Sequence, residues 1–534
     1  MPTVNAALKE LSEQINEWVE EVIPPDYPKR YPHKDDKKVI REAVSGYQVL
    51  KPHEYLILDS PIVQRLRYIH QTALSYLVYP TSNHTRFDHS LGVAHIAELI
   101  GRSLEIEDSQ IEELRMAALL HDIGHAFFSH LSEELIATKF QDTFESIKEI
   151  ELFHDRESGE IMTYLIVASP RFQKLLADVF NHYNNSKISI DRITHLVIGK
   201  TQEPERFAFL GDIISGPFDA DKLDYLVRDC RFSGIRADAD VERVIISSLA
   251  MNTSKYKGFQ EQVGESANRR MKKNPKLFSH RYLIMKSSGV NNLEQIVLNK
   301  ILLFPAIYHH HKVRALECMV KGIFEVIWAN PEKQDRDKRL KFEKPTDFLR
   351  ISESDFFSLG MSDSELSPLI KRLLNRDLLK RCLVLAPNYV IKDPELRMED
   401  FFKLSNEYPK LERLQQMRKL REFIWDDLPK KHRSSFSDLW VDIPKPPNID
   451  KDVNRCWIDI GTDWLVHLRE FFPYGKWLDT YGANKLKGHV FYIADPDHRK
   501  AVNKTAKAVF RDAFVGVKFD PRATDECKLE NYYN

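Results

Sequence analysis

The chain has 534 residues, of which 43% are hydrophobic and 11% aromatic, and its net charge is −1. This length predicts two or three folding units, and the composition excludes a disordered chain. The balanced charge gives no sign of a nucleic-acid-binding surface, although it does not exclude a local basic pocket.

The predicted elements describe a large helical body followed by a smaller mixed part. An amphipathic helix is expected over residues 5–23, and helical periodicity dominates the chain that follows. Short strands are expected at 45–51, 281–288 and 489–495. We therefore predict a mainly α fold in three parts: an N-terminal helix and linker (1–37), a helical domain (38–330) and an α+β C-terminal region (331–534).

Cysteine usage and hydropathy indicate the compartment. Five cysteines are scattered without a CxxC pair, which fits a reducing environment better than a disulfide framework or a zinc knuckle. The N-terminal helix contains glutamates and has no apolar signal region, and no window holds 18 uninterrupted apolar residues. We expect a cytoplasmic protein without a membrane span.

An adjacent His121-Asp122 pair ends an apolar helical run in the segment AALLHDIGHAFFSH. Neighbouring side chains on a helix diverge by about 100°, so both reach one metal ion only if it lies at their shared edge. Imidazole and carboxylate ligands suit Mn, Fe, Co, Ni or Zn, and Mg less well. His125 and His130 are candidates for activating water or protonating a leaving group. An isolated pair of this kind is more often a polar helix terminus.

Two further segments supply partners for this pair. The segment HTRFDHSLGVAH carries Arg86, a planar donor suited to phosphate, together with His89. The segment GPFDADKLDYLVRDC carries Asp221 beside Lys222. On its own the second segment also fits a salt-bridged amphipathic helix. Together the three segments predict a mononuclear metal centre that hydrolyses a phosphate ester or anhydride.

The ordered set H…HD…D, with the strings RFDHSLGV and DADKLDYLVRD, resembles the HD-domain deoxynucleoside triphosphate triphosphohydrolases. These include bacterial dGTPases and the vertebrate SAM-and-HD-domain enzyme. The resemblance covers residues 38–330 and implies an HD-domain helical core. It also implies a reaction that splits a dNTP into deoxynucleoside and tripolyphosphate, with a divalent metal ion (Mn, Fe or Mg, or else Zn, Co or Ni).

The same resemblance implies roles for individual residues. The implied metal ligands are His89, His121, Asp122 and Asp221. The implied catalytic histidines are His125, His130 and His154. The implied substrate contacts are Arg86, Gln71, Lys222, Tyr225, Asp229, Lys300, Tyr308 and His310. Within this last set, Tyr225, Asp229 and Tyr308 would surround the deoxyribose. Of the triple histidine, only His310 is expected to contact substrate, with its two neighbours facing solvent.

Two alternatives stay open at this point. One is another HD-family phosphohydrolase that acts on nucleoside monophosphates, signalling nucleotides or nucleic-acid ends. The other is a nucleotide-sensing or scaffold protein without turnover. The resemblance implies a homo-oligomer and leaves open a regulatory nucleotide and an antiviral or anti-phage role through dNTP depletion. The sequence does not indicate the preferred base.

Overall fold

The computed structural model describes residues 4–185, 187–236, 239–252, 256, 281–391, 410–445, 447, 449–477, 485–514 and 517–529. Within these residues the α-helices, numbered α1 to α21 in chain order, are Val4–Val22, Pro52–Leu58, Pro61–Gln64, Arg86–Ser103, Asp108–Leu120, His130–Lys139, Gln141–Lys148, Ser158–Ala168, Pro170–His182, Ile190–Leu196, Pro204–Ser215, Ala220–Ser233, Val241–Ile246, Val290–Ala306, His311–Ala329, Glu353–Ser362, Leu366–Leu374, Lys410–Asp427, Ile449–Arg455, Pro496–Ala513 and Arg522–Asp525.

The strands are short and form small sheets. Numbered β1 to β11, they are Lys38–Glu42, Gly46–Leu50, Ser248–Asn252, Arg281–Lys286, Lys380–Leu385, Val390–Ile391, Trp440–Asp442, Trp457–Asp459, Leu465–His467, Gly488–Tyr492 and Lys518–Phe519. They pair as β1-β2, β5-β10-β7, β11-β6 and β3-β4-β8-β9. The three strands expected from the sequence correspond to β2, β4 and β10.

Helices α4, α5 and α12 form the centre of the helical body. The run from Met116 to Leu120 in α5 is fully buried, as its apolar sequence predicts. Glycines in α4 allow its neighbours to approach closely. A Cβ atom at Gly101 would lie 3.2 Å from the Ile111 side chain of α5. This close packing brings the ends of the central helices together on one side of the core.

Helix α1 packs against the helical body. Its buried residues recur at helical spacing and face α7, α8 and α9: Ala7, Leu11, Ile15, Trp18 and Val19. The expected amphipathic helix over 5–23 is therefore present, with one face in the main core.

The C-terminal region has its own apolar core but also extends into the helical body. Sheet β5-β10-β7 packs against α20 and supplies the second core. Strand β8 pairs in parallel with β4, so that residues far apart in the sequence share one sheet. The prediction of a mainly α fold with a smaller α+β region is confirmed. The limits 1–37, 38–330 and 331–534 stay a prediction. None of the helices in the described residues is long and apolar enough to span a bilayer.

Candidate metal and phosphate site

Three helices bring the predicted metal ligands together. His89 comes from the first turn of α4, His121 follows α5, and Asp221 lies in the first turn of α12. His89 Nε2 lies 3.0 Å from Asp221 Oδ1. One ligand atom from each of these three residues lies within 4.8 Å of the other two. Two imidazoles and a carboxylate at this spacing can hold one divalent ion.

Asp122 contacts the same histidines. Its Oδ1 lies 3.4 Å from His121 Nε2 and 3.3 Å from His125 Nε2, and its Oδ2 lies 3.9 Å from His89 Nε2. Arg86 Nη1 donates to Oδ2 at 2.6 Å. Burial raises the pKa of Asp122, but Arg86 and the histidines hold that pKa well below its ordinary value. Asp122 is therefore a carboxylate, as a fourth ligand would need to be.

The buried nitrogens of this set fit a cation. His121 Nδ1 donates to the Ala118 carbonyl at 2.7 Å, whereas its Nε2 is buried without a hydrogen-bond partner among the described residues. Burial lowers the pKa of His89, but the carboxylates of Asp221 and Asp224 raise it to about 10. The site thus favours positive charge on the His89 ring. A divalent metal ion would supply that charge in place of the proton.

Asp224, one turn after Asp221 in α12, fixes the orientation of His89. His89 Nδ1 lies 2.8 Å from Asp224 Oδ2, which leaves Nε2 facing the other candidate metal ligands. We call the four candidate ligands His89, His121, Asp122 and Asp221 the metal set. Arg228 donates to both oxygens of Asp224, at 2.7 and 2.9 Å. Gly92 makes room for this pair, since a Cβ atom there would lie 1.9 Å from Asp224 Oδ1. The salt-bridged helix that the sequence also allowed is present, and it supports the candidate metal centre.

A cleft of about 410 Å³ opens beside the metal set, and a second lobe of about 490 Å³ continues from it. The predicted site residues that line the cleft are Gln71, Arg86, His89, Asp122, His125, His130, Asp221, Tyr225, Asp229 and Tyr308. His121 lines the second lobe. A cleft of this size has room for a nucleotide-sized ligand.

Glu133 lies between the two cleft histidines, His125 and His130. This residue was not predicted from the sequence as part of the site. His130 Nδ1 lies 2.8 Å from Glu133 Oε2, and His125 Nδ1 lies 3.5 Å from Glu133 Oε1. Desolvation by the surrounding cleft lowers the pKa of His130, but Glu133 raises it above its ordinary value. Phe128 and Ser129 adopt positive φ angles of 59° and 50° just before α6. This turn presents the His130 ring to the cleft with 75% of the side chain exposed.

The residues expected around the sugar also meet in the cleft. The Tyr308 hydroxyl donates to Asp229 Oδ2, and His84 Nε2 lies 2.7 Å from Asp229 Oδ1. Gln71 Oε1 is buried without a hydrogen-bond partner among the described residues. These contacts make one wall of the cleft a rigid polar surface, and the roles predicted for its residues stay predictions.

The structure does not bring the two predicted lysines to the cleft. Lys222 Nζ donates to Asp219 Oδ2 at 2.6 Å and to the Gly216 carbonyl at 2.7 Å. Lys300 Nζ donates to Asp452 Oδ2 at 2.6 Å. Both lysines are turned toward these carboxylates and are absent from the lining of the cleft as the structure describes it.

Two predicted histidines also lie outside the lining of the cleft. His154 is 60% exposed, and its Nδ1 lies 3.1 Å from Asp155. His310 is the N-cap of α15, and its Nδ1 accepts from the Lys312 backbone N–H at 3.4 Å. The expectation that His309 faces solvent was wrong, because it lines the cleft directly after Tyr308. The residue at which α15 starts determines which of the two histidines lines the cleft. His310 is the N-cap, and an N-cap side chain folds back onto its own helix, whereas His309 lies before it.

Comparison with known proteins agrees with this geometry. The protein-family model named HD domain matches residues 86–197, and the family model named HD associated region matches residues 270–405. The chain therefore contains an HD domain at residues 86–197. The HD domain begins at the first residue of α4 and contains His89, His121 and Asp122, whereas Asp221 follows it in the chain.

Related proteins match parts of this chain. The chain is 30% identical over 320 residues to an uncharacterised protein of Methanocaldococcus jannaschii, and the match covers 59% of this chain and 56% of that protein. It is 30% identical over 235 residues to the human deoxynucleoside triphosphate triphosphohydrolase SAMHD1, covering 40% of this chain and 36% of that enzyme. The chain thus spans about half or less of these curated relatives. The resemblance to HD-domain dNTP triphosphohydrolases is confirmed.

A solved structure shares the fold. The crystal structure of a hypothetical protein from Aquifex aeolicus superposes with a TM-score of 0.57 at 22% identity. The match covers 88% of this chain and 100% of that one. The two proteins therefore share their fold over most of this chain.

Proposed function

We propose that this HD-domain protein is a metal-dependent dNTP triphosphohydrolase that releases deoxynucleoside and tripolyphosphate. The observation that carries the proposal is the convergence of the metal set, two cleft histidines and a rigid polar wall in one cleft. The similarity to human SAMHD1, a deoxynucleoside triphosphate triphosphohydrolase, supports a dNTP as the substrate.

The metal ion would be held by His89, His121, Asp122 and Asp221. When bound, it would lower the pKa of water and polarise a phosphoryl oxygen. Two nitrogen and two oxygen ligands favour Mn, Fe, Co, Ni or Zn over Mg. The orphaned Nε2 of His121 and the ionised Asp122 support this assignment.

The cations and histidines of the cleft would act on the phosphates. Arg86 is buried, and its Nη2 has no hydrogen-bond partner among the described residues. This nitrogen is free to donate to a phosphoryl oxygen while Nη1 holds Asp122. His130 would donate a proton to the leaving 5′-oxygen, because Glu133 favours its protonated form. His125, held between Asp122 and Glu133, would donate to a phosphate oxygen. His154 stays a predicted second catalytic histidine.

The polar wall would select deoxyribose. The hydrogen bond between Tyr308 and Asp229 fixes both side chains. Neither side chain would then move aside to make room for the 2′-hydroxyl of a ribonucleotide. Tyr225 would complete this wall. The unpaired Oε1 of Gln71 would accept a hydrogen bond from the 3′-hydroxyl. Lys222 and Lys300 would reach the outer phosphates after leaving their carboxylate partners, and His310 stays a predicted contact.

Product analysis tests this proposal. Purified protein, loaded with Mn²⁺, is incubated with each dNTP, and the products are separated by ion-exchange chromatography. Deoxynucleoside and tripolyphosphate in equal amounts are expected. Release of orthophosphate or pyrophosphate would instead favour another HD phosphohydrolase activity. A homo-oligomer, a regulatory nucleotide and a role in limiting viral or phage replication stay predictions.

A further inference from the structure

Two lysines near the cleft, one buried and one half-buried, are neutralised by carboxylates. Lys300 is 7% exposed, and its Nζ lies 2.6 Å from Asp452 Oδ2. Lys222 Nζ lies 2.6 Å from Asp219 Oδ2 and 3.9 Å from Asp452 Oδ1. Two ammonium groups thus meet two carboxylates, and their formal charges balance. A phosphate that binds these lysines must take the place of a carboxylate.

Asp452 reaches this cluster from the C-terminal region. It lies in α19, whose residues Ile449 and Val453 are buried in the main core. Pro444 and Pro447, in the connection that leads to α19, line the second lobe of the cleft. The packing of α19 therefore fixes the Asp452 carboxylate beside the lysines, and its side chain is only 11% exposed.

The cluster lies close to residues of α12 that line the cleft. Lys222 follows the candidate metal ligand Asp221, and Tyr225, one turn further along α12, lines the cleft. Burial is the main reason why the pKa of Tyr225 is raised. Among the neighbouring carboxylates, Asp452 raises this pKa the most. Asp452 is thus close enough to act electrostatically on a group in the cleft.

We propose that Asp452 is the resting counter-ion of Lys300 and Lys222, and that the outer phosphates of the substrate displace it. The inference rests on the proposed function only in taking a polyphosphate as the ligand. A phosphate chain carries more charge than one carboxylate and offers more acceptor oxygens to ammonium groups. Asp452 therefore weakens the binding of all phosphates and favours ligands with a long phosphate chain. It is a specificity residue supplied to the cleft by the C-terminal region.

Binding of inorganic tripolyphosphate in metal-free buffer tests the proposal without turnover. Isothermal titration calorimetry would compare the wild-type protein with the Asp452→Asn variant. The variant should bind about tenfold more tightly, because Lys300 loses a charged partner. The matched control is Asp438→Asn, which removes an ion pair to Arg372 (2.7 Å) elsewhere in the C-terminal region. This control should bind like the wild type. Equal or weaker binding by Asp452→Asn would overturn the proposal.

Three further measurements separate displacement from a purely structural role. The gain in affinity should vanish in the double variant Asp452→Asn/Lys300→Gln, and a gain that persists would contradict the proposal. With dNTP as substrate, KM should fall in Asp452→Asn by a larger factor than kcat changes. In the wild-type protein, affinity should rise steeply from orthophosphate to tripolyphosphate, and equal affinities would also contradict the proposal. If no dNTP is hydrolysed, the proposed function fails, while the tripolyphosphate result still decides the role of Asp452.

Discussion

Replacing Gly92 by alanine should disturb the metal site through the residues that orient His89. A Cβ atom at this position would lie 1.9 Å from Asp224 Oδ1 and 2.3 Å from Arg228 Nη2. Both side chains are fully buried, so they can avoid the methyl group only by separating from each other or from His89. Breaking a buried ion pair costs about 3–5 kcal/mol, and alanine returns about 1 kcal/mol of helix propensity. The variant should therefore be about 2–4 kcal/mol less stable than the wild type.

The same substitution should weaken metal binding about 10- to 100-fold, because Asp224 no longer fixes the imidazole. Urea unfolding measures the first effect, and calorimetric titration with Mn²⁺ measures the second. Gly101→Ala in the same helix is the matched control, since its Cβ atom would meet only flexible side chains at 3.2 and 3.3 Å. Wild-type stability and metal affinity in Gly92→Ala would refute the account of how His89 is held.

The other predictions concern the metal, the proton donor and the sugar. The Asp122→Ala variant should lose bound metal, measured by elemental analysis, together with turnover, and full activity in it would rule out the ligand assignment. Removing the metal ion with a chelator should abolish hydrolysis by the wild type, and Mn²⁺ should restore it. Glu133→Gln should lower kcat about 10²-fold with a smaller effect on KM, because His130 loses the partner that favours its protonated form; an unchanged kcat would contradict this role. The kcat/KM for dATP should exceed that for ATP on the order of 10- to 100-fold, and Tyr308→Ala should narrow the ratio. Equal rates for the two nucleotides with the wild-type protein would exclude sugar selection by this wall.

The metal set could be predicted from the sequence because local patterns determine it. An adjacent histidine and aspartate at the end of an apolar run indicate a helix that delivers both side chains to one edge. Thr85 and Asp88 form a capping box at the start of α4, which places His89 in its first turn. Spacings of three and four in α12 put Asp221 and Asp224 on one face, where both contact His89.

The surroundings of the lysines could not be predicted, because their partners are distant in the sequence. Lys300 and Asp452 are 152 residues apart, and α19 reaches the site only through the packing of the C-terminal region. The choice between His309 and His310 depends on the residue at which α15 begins. Helix boundaries are uncertain by one or two residues, and one residue is enough to exchange the two side chains.

Hydrolysis in water enriched in oxygen-18 is the most direct test of attack at the α-phosphorus. The account predicts that the label appears in the tripolyphosphate, on a terminal phosphorus, because the bond between the α-phosphorus and the 5′-oxygen breaks. Phosphorus NMR detects this position by its isotope shift. Label in orthophosphate, in pyrophosphate or in the 5′-hydroxyl of the deoxynucleoside would contradict the central claim.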